Sequence, residues 1–150
     1  VEDLHPRWSL DGSKIAFSRE AANNVLKICI YDISTSQVSS ITDGHRDWAP
    51  SFSPDGSKIV FSRMKLPFVD TTRELYTVEV GGSNLSQLTS SGVGVTNDSP
   101  CWSPDNSKIV FESNRNGNNS EIYEMPSGGG TIEAITNDSL FDHFAPVYKP

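Results

Sequence analysis

The apolar residues of this chain gather in short, strand-length runs, and one polar stretch introduces each of them in turn. Ile59-Val60-Phe61 follows Ser53-Pro54-Asp55-Gly56-Ser57-Lys58, with Pro50-Ser51-Phe52 just ahead. The pattern predicts a β-hairpin, with a short strand ending in the Ser-Pro-Asp-Gly turn and a second strand over Ser57 to Arg63. A proline ring presets φ for the turn, the Asp carboxylate can accept from nearby amides, and glycine takes the left-handed exit. Ile15-Ala16-Phe17 and Ile109-Val110-Phe111 occupy the same place after Ser9-Leu10-Asp11-Gly12 and Ser103-Pro104-Asp105-Asn106. Asn106 stands for glycine, and asparagine also enters the left-handed region readily. Leu10 stands for proline, so the first hairpin is expected to be looser. The Ile15-Ala16-Phe17 run does not alternate with polar residues, which predicts inner strands covered on both faces. Gln37-Val38-Ser39-Ser40-Ile41 is mixed and reads as an outer strand.

The hairpin is one part of a longer repeat. Its leading prolines, Pro6, Pro50, Pro100 and Pro146, stand 44, 50 and 46 residues apart. Ile28–Asp32, Leu75–Glu79 and Ile122–Met125 align as third strands, and Ile41-Thr42, Leu88-Thr89 and Ile135-Thr136 as fourth strands. A strand-built period of roughly 40–45 residues is that of a propeller blade. The predicted fold is all-β, with β-propeller blades of four antiparallel strands. Blade one runs over about 6–42, blade two over 50–89 and blade three over 100–136, and 146–150 supply the first strand of a fourth. All of it is one segment, 1–150.

The repeat resembles the WD40-like repeat of TolB-type β-propellers, in which Pro-x-Trp-Ser-Pro-Asp-Gly is followed by Lys-Ile-x-Phe, a Tyr-containing strand, Gly-Gly and Leu/Ile-Thr. The resemblance covers essentially the whole chain. It implies a non-catalytic protein-binding scaffold, a protein partner and a periplasmic or otherwise exported location. Two other roles are compatible with such blades. One is the gating propeller of a prolyl-oligopeptidase-type serine peptidase, with its catalytic domain elsewhere. The other is a metal-dependent propeller lyase.

Charge narrows the choice of partner. Twelve basic and 19 acidic residues give a net charge of −7, which disfavours nucleic acid and anionic membrane surfaces. The apolar runs are too short to insert in a membrane, and Val1-Glu2-Asp3 reads as an acidic lead into blade one, without signal-peptide character. Cys29 and Cys101 fall on non-neighbouring blades and read as small apolar fillers, not a disulfide. No nucleophile elbow, zinc-binding pair or phosphate loop is present, so no catalytic residue, cofactor or metal is expected.

Propeller geometry puts the loops entering each first strand at one end of the ring, together with the loops joining second and third strands. All three histidines lie in the entering segments. His45, Arg46, Asp47, Trp48, Asp142, His143 and Phe144 are the candidate partner-binding rim, because Arg and aromatic anchors in polar surroundings suit protein recognition. The structural alternative is that the acids hold strand-start amides and the aromatics plug gaps between blades. The apolar Leu66-Pro67-Phe68-Val69 loop either covers its own blade or faces a partner. Three blades and a strand do not close a ring, so the chain is either part of a longer propeller or a homodimer completing six blades.

Overall fold

A computed structural model of the chain describes residues 1–43, 45–64, 70–117, 119–137 and 143–148. Each blade is a four-stranded antiparallel meander. Blade one contains β1 (Asp3–Trp8), β2 (Lys14–Glu20), β3 (Leu26–Asp32) and β4 (Gln37–Ser40). Blade two contains β5 (Arg46–Phe52), β6 (Lys58–Met64), β7 (Glu74–Glu79) and β8 (Ser86–Gln87), and blade three β9 (Asn97–Trp102), β10 (Lys108–Ser113), β11 (Glu121–Pro126) and β12 (Glu133–Ala134).

The three hairpins are built alike. Ser9, Ser53 and Ser103 each donate their hydroxyl to the Asp two residues on, at 2.6 Å, and accept the amide of Lys14, Lys58 or Lys108 at 2.9 Å. Gly12, Gly56 and Asn106 exit with φ of 70°, 71° and 63°. The hydroxyl donors and the following amide push the carboxyls of Asp11 and Asp105 down to about 2. The first hairpin is no looser than the others: Leu10 leaves these bonds intact, because the Ser–Asp network closes the turn without the proline ring.

The fourth strands are short and end just before the Ile-Thr or Leu-Thr pair. That pair instead ties down the third strand. Thr42, Thr89 and Thr136 accept the amides of Ile28, Leu75 and Ile122 at 2.9 Å each. The preceding Ile41, Leu88 and Ile135 amides donate to the carbonyls of the same three residues.

Two cores lie between blades. Ala16, Ile28 and Ile30 of blade one meet Phe52, Ile59, Phe61, Tyr76 and Val78 of blade two. Val60 and Leu75 meet Trp102, Ile109, Phe111, Tyr123 and Met125 of blade three. The Gly-Gly pairs serve these junctions: a Cβ on Gly82 would stand 3.3 Å from the Ile41 carbonyl oxygen, and one on Gly129 3.2 Å from that of Leu88. Trp102 is 7% exposed, whereas Trp8, at the same repeat position, is 61% exposed because no blade of this chain precedes it. Cys29 and Cys101 are free, on β3 and β9 as the repeat predicts.

Pro146–Tyr148 carry no strand, since the second strand that would pair with them is absent from this chain; Lys149 and Pro150 lie outside the described residues. The segment nonetheless docks as a blade entry. The His143 amide donates to the Ser120 carbonyl, as Asn97 does to Arg73 one blade earlier. The Tyr148 hydroxyl donates to Glu124 at 2.6 Å.

Candidate functional site

The entering segments are shaped by a repeated kink. The residue before each leading proline, His5, Ala49, Ser99 and Ala145, has φ of 53°, 51°, 50° and 48°, in the left-handed region where side chains are uncommon. In the three paired strands the ladder slips at this place, which is a β-bulge and re-aims the side chains around it.

Ahead of the kink the acid or amide pairs with an arginine of its own blade. Asp3 receives Arg19 through two bonds of 2.7 Å, and Asp47 receives Arg63 at 2.6 and 2.7 Å. In blade three Ser113 holds the arginine's place, and Arg115 reaches back to Asn97 at 2.5 Å. Arg63 and Arg115 also lie over Phe61 and Tyr76, and over Phe111 and Tyr123. These acids therefore pair with side chains more than with strand-start amides. Asp47, expected on the rim, is fully buried, and its carboxylate is consumed by Arg63. It belongs to the frame.

One residue further on, the side chains of Trp48 and Asp98 meet between blades. The indole Nε1–H of Trp48 donates to Asp98 at 2.9 Å across the junction of blades two and three. Arg73, just before β7, donates to the other Asp98 oxygen. Its guanidinium lies 4.7 Å from the Trp48 ring centre, and that of Arg46 6.0 Å. Arg46 donates to the Asn24 side-chain carbonyl at 2.7 Å. Trp48, Arg46 and Arg73 wall a cleft of about 380 Å³ with Leu4, His5, Leu26 and Met64. Backbone straps bring these elements together, from Leu26 N–H to His45 carbonyl (3.2 Å) and from Arg73 N–H to Val95 carbonyl (3.0 Å). Desolvation, with the Arg7 cation adding to it, holds the pKa of the His5 imidazole below its ordinary value.

The expected rim is thus only partly gathered. Arg46 and Trp48 line the cleft, and His45 contributes its carbonyl to the strap beside it. His143 and Phe144 lie beyond blade two, on the tail against blade three, where Phe144 is exposed and His143 stands 3.9 Å from Glu121. Asp142 lies outside the described residues, as do Leu66–Val69. Arg73 and Asn24 carry no mark in the sequence, while His5 and Asp98 belong to the entering segments but not to the expected rim. The repeat itself hides Arg73, whose counterparts are Leu26 and Ser120. Among the described residues no three His, Cys, Asp or Glu side chains gather as a metal-binding group, and no helix is long and apolar enough to cross a membrane.

Among solved structures, a TolB-type protein from Agrobacterium tumefaciens aligns with a TM-score of 0.77 and 24% identity over 91% of this chain and 50% of its own. TolB from Acinetobacter baumannii aligns at 0.74 and 28%, over 93% of this chain and 33% of its own. A prolyl endopeptidase aligns at 0.71 with 14% identity, over 91% of this chain and 22% of its own. The chain therefore spans half or less of the length of these proteins, and the likenesses to the Agrobacterium protein and the endopeptidase carry the fold alone. No curated protein gives a significant match. The family model for the TolB beta propeller domain matches residues 2–147, so the strand order, the inter-blade packing and the sequence repeat agree, and the chain belongs to the TolB beta propeller domain family.

Proposed function

We propose that this chain is a non-catalytic protein-binding scaffold that meets its partner through the loops at the channel end. The observation that carries the reading is the cleft at that end, where two guanidinium groups and an indole face are held in place by neighbouring blades. Its walls are rigid β-structure, and its Arg and Trp anchors are those that dominate protein interfaces. His45, Arg46 and Trp48 form the contact surface with Arg73, and His143 and Phe144 extend it toward blade three. Membership in the TolB family supports a protein partner and an exported, envelope location. The likeness to a prolyl endopeptidase rests on fold alone, so a gating role is not preferred.

The two ends of the ring segment can be compared directly. With a photo-reactive phenylalanine analogue in place of His45, irradiation in the source cells should give a protein adduct, whereas the same analogue in place of Asp105, on the hairpin end, should give none. Equal labelling from both ends, or none from position 45, would sink the reading. The chain's two open blade faces also support a homodimer completing six blades. Blade three presents the face that blades one and two present to their successors, partly covered by its own tail through Tyr148, and blade one presents its complement.

A further inference from the structure

The cleft walled by Arg46 and Trp48 has features that a generic contact patch does not need. The protein carries a net charge of −7, yet two arginines line this cleft. Three arginines are matched by carboxylates: Arg19 by Asp3, Arg63 by Asp47, and Arg73 by Asp98. Arg46, which lines the cleft, has no such partner. Among the described residues its guanidinium meets the neutral amide of Asn24 and the Trp48 ring, and no carboxylate forms an ion pair with it. Arg73 lines the cleft beside Arg46 with a side chain 32% exposed, its charge matched by Asp98. Trp48 has no donor left for an anion, because its Nε1–H is committed to Asp98. What it offers is a flat apolar wall, continued by Leu4, Leu26 and Met64.

We infer that this cleft is a carboxylate-binding subsite, which seats an acidic group of the partner polypeptide on the Arg46 guanidinium with the adjoining apolar side chain against Trp48. A planar guanidinium matches a carboxylate bidentately, and the chain's overall negative charge keeps acidic segments from settling elsewhere. A small, partly closed cleft of mixed apolar and cationic lining takes one or two side chains, not a helix or a duplex. The carboxylate can be a Glu or Asp side chain or a chain's C-terminus. The proposal rests on the protein-binding reading, and the two fail differently.

Three fluorescein-labelled peptides of one Leu/Val-rich sequence separate the sources. One has an internal Glu and an amidated end, one has Gln and a free C-terminal carboxylate, and one has Gln and an amidated end. Anisotropy titrations up to millimolar peptide should show binding by one or both carboxylate peptides, at least about tenfold tighter than the neutral one, as one charge-assisted pair provides. Arg46→Gln should abolish that difference. Asn24→Asp should do the same with the arginine still in place, by supplying a carboxylate from within the chain. Lys58→Gln, an equal charge loss at the hairpin end, should leave affinity unchanged, and thermal melts check that each variant is folded. Equal binding of all three peptides, no binding by any, or indifference to both Arg46→Gln and Asn24→Asp would overturn the subsite. So would tighter, Arg46-dependent binding of a single-stranded oligonucleotide. Protein adducts from position 45 that persist in the Arg46→Gln background would keep the binding rim and dismiss the carboxylate.

Discussion

Asp47 and Asp3 hold the same place in the repeat and make the same two-pronged contact with an arginine, yet their surroundings differ. The Asp47–Arg63 pair is buried, with side chains 0% and 4% exposed, while Asp3 and Arg19 are open to water. Removing one member of a buried pair strands the other charge in a low-dielectric interior, which costs about 3–5 kcal/mol, whereas an exposed pair is worth roughly 0–1 kcal/mol. Asp47→Ala should therefore lower the urea midpoint severely and Asp3→Ala hardly at all. Equal losses would show that the bidentate geometry, and not burial, sets the stability. The difference was not legible in the sequence. Both acids stand three residues before a proline, and only the presence of a preceding blade decides which one is sealed. The same cause separates Trp102 from Trp8. Arg46 and Trp48 could be picked out because charge and aromaticity are visible in a string of letters. Arg73 and Asp98 act through a packing between strands that are distant in sequence, and nothing in the repeat marks them.

At the scale of the element, the hairpin was the most readable feature, because its chemistry is local. Serine, aspartate and a left-handed residue at fixed offsets close the turn whatever surrounds it. Leu10 does not loosen its turn, and the reason is physical. Proline does not make any of the turn's bonds; it restricts the unfolded chain. Leu10→Pro should therefore raise stability by about 0.4–1 kcal/mol, since the equivalent turns at Pro54 and Pro104 keep the same bonds around the ring. A thermal melt that falls instead would show that the first turn has a backbone its siblings do not share. The fourth strands were less legible. Their outer edge is short, and what looked like strand residues, the Ile-Thr pairs, are ties to the third strand made by a hydroxyl. The kink before each proline was missed altogether, because His5, Ala49, Ser99 and Ala145 share no side-chain property that would announce a positive φ.

For the whole molecule, the question is what covers the outer faces. Blade one leaves Trp8 and Val38 in water beside a groove of about 410 Å³ that Ile15, Phe17 and Tyr31 help to line, and blade three leaves Ile135 exposed. If two copies close the ring, light scattering at micromolar concentration should give twice the mass of 16.4 kDa, and Trp8→Glu should return it to a monomer. A monodisperse monomer for the unaltered chain would exclude the closed dimer. Closure meets resistance at Tyr148, which already occupies the side of blade three where the other copy's Trp8 would settle.

The straps between blades imply that the unit of inheritance and the unit of folding do not coincide. A gene can lengthen by one period, proline to proline, and each period encodes a complete four-stranded meander. The polypeptide does not fold by that measure. The entry to every later period is fastened to the period before it, through the carbonyl of His45, the amide of Asn97 and the amide of His143, and its aromatic side chain finds cover there. A duplicated blade thus reaches its stable form only as a successor. The chain's order of synthesis, which presents each docking face before the segment that binds it, matches the order in which those attachments can form.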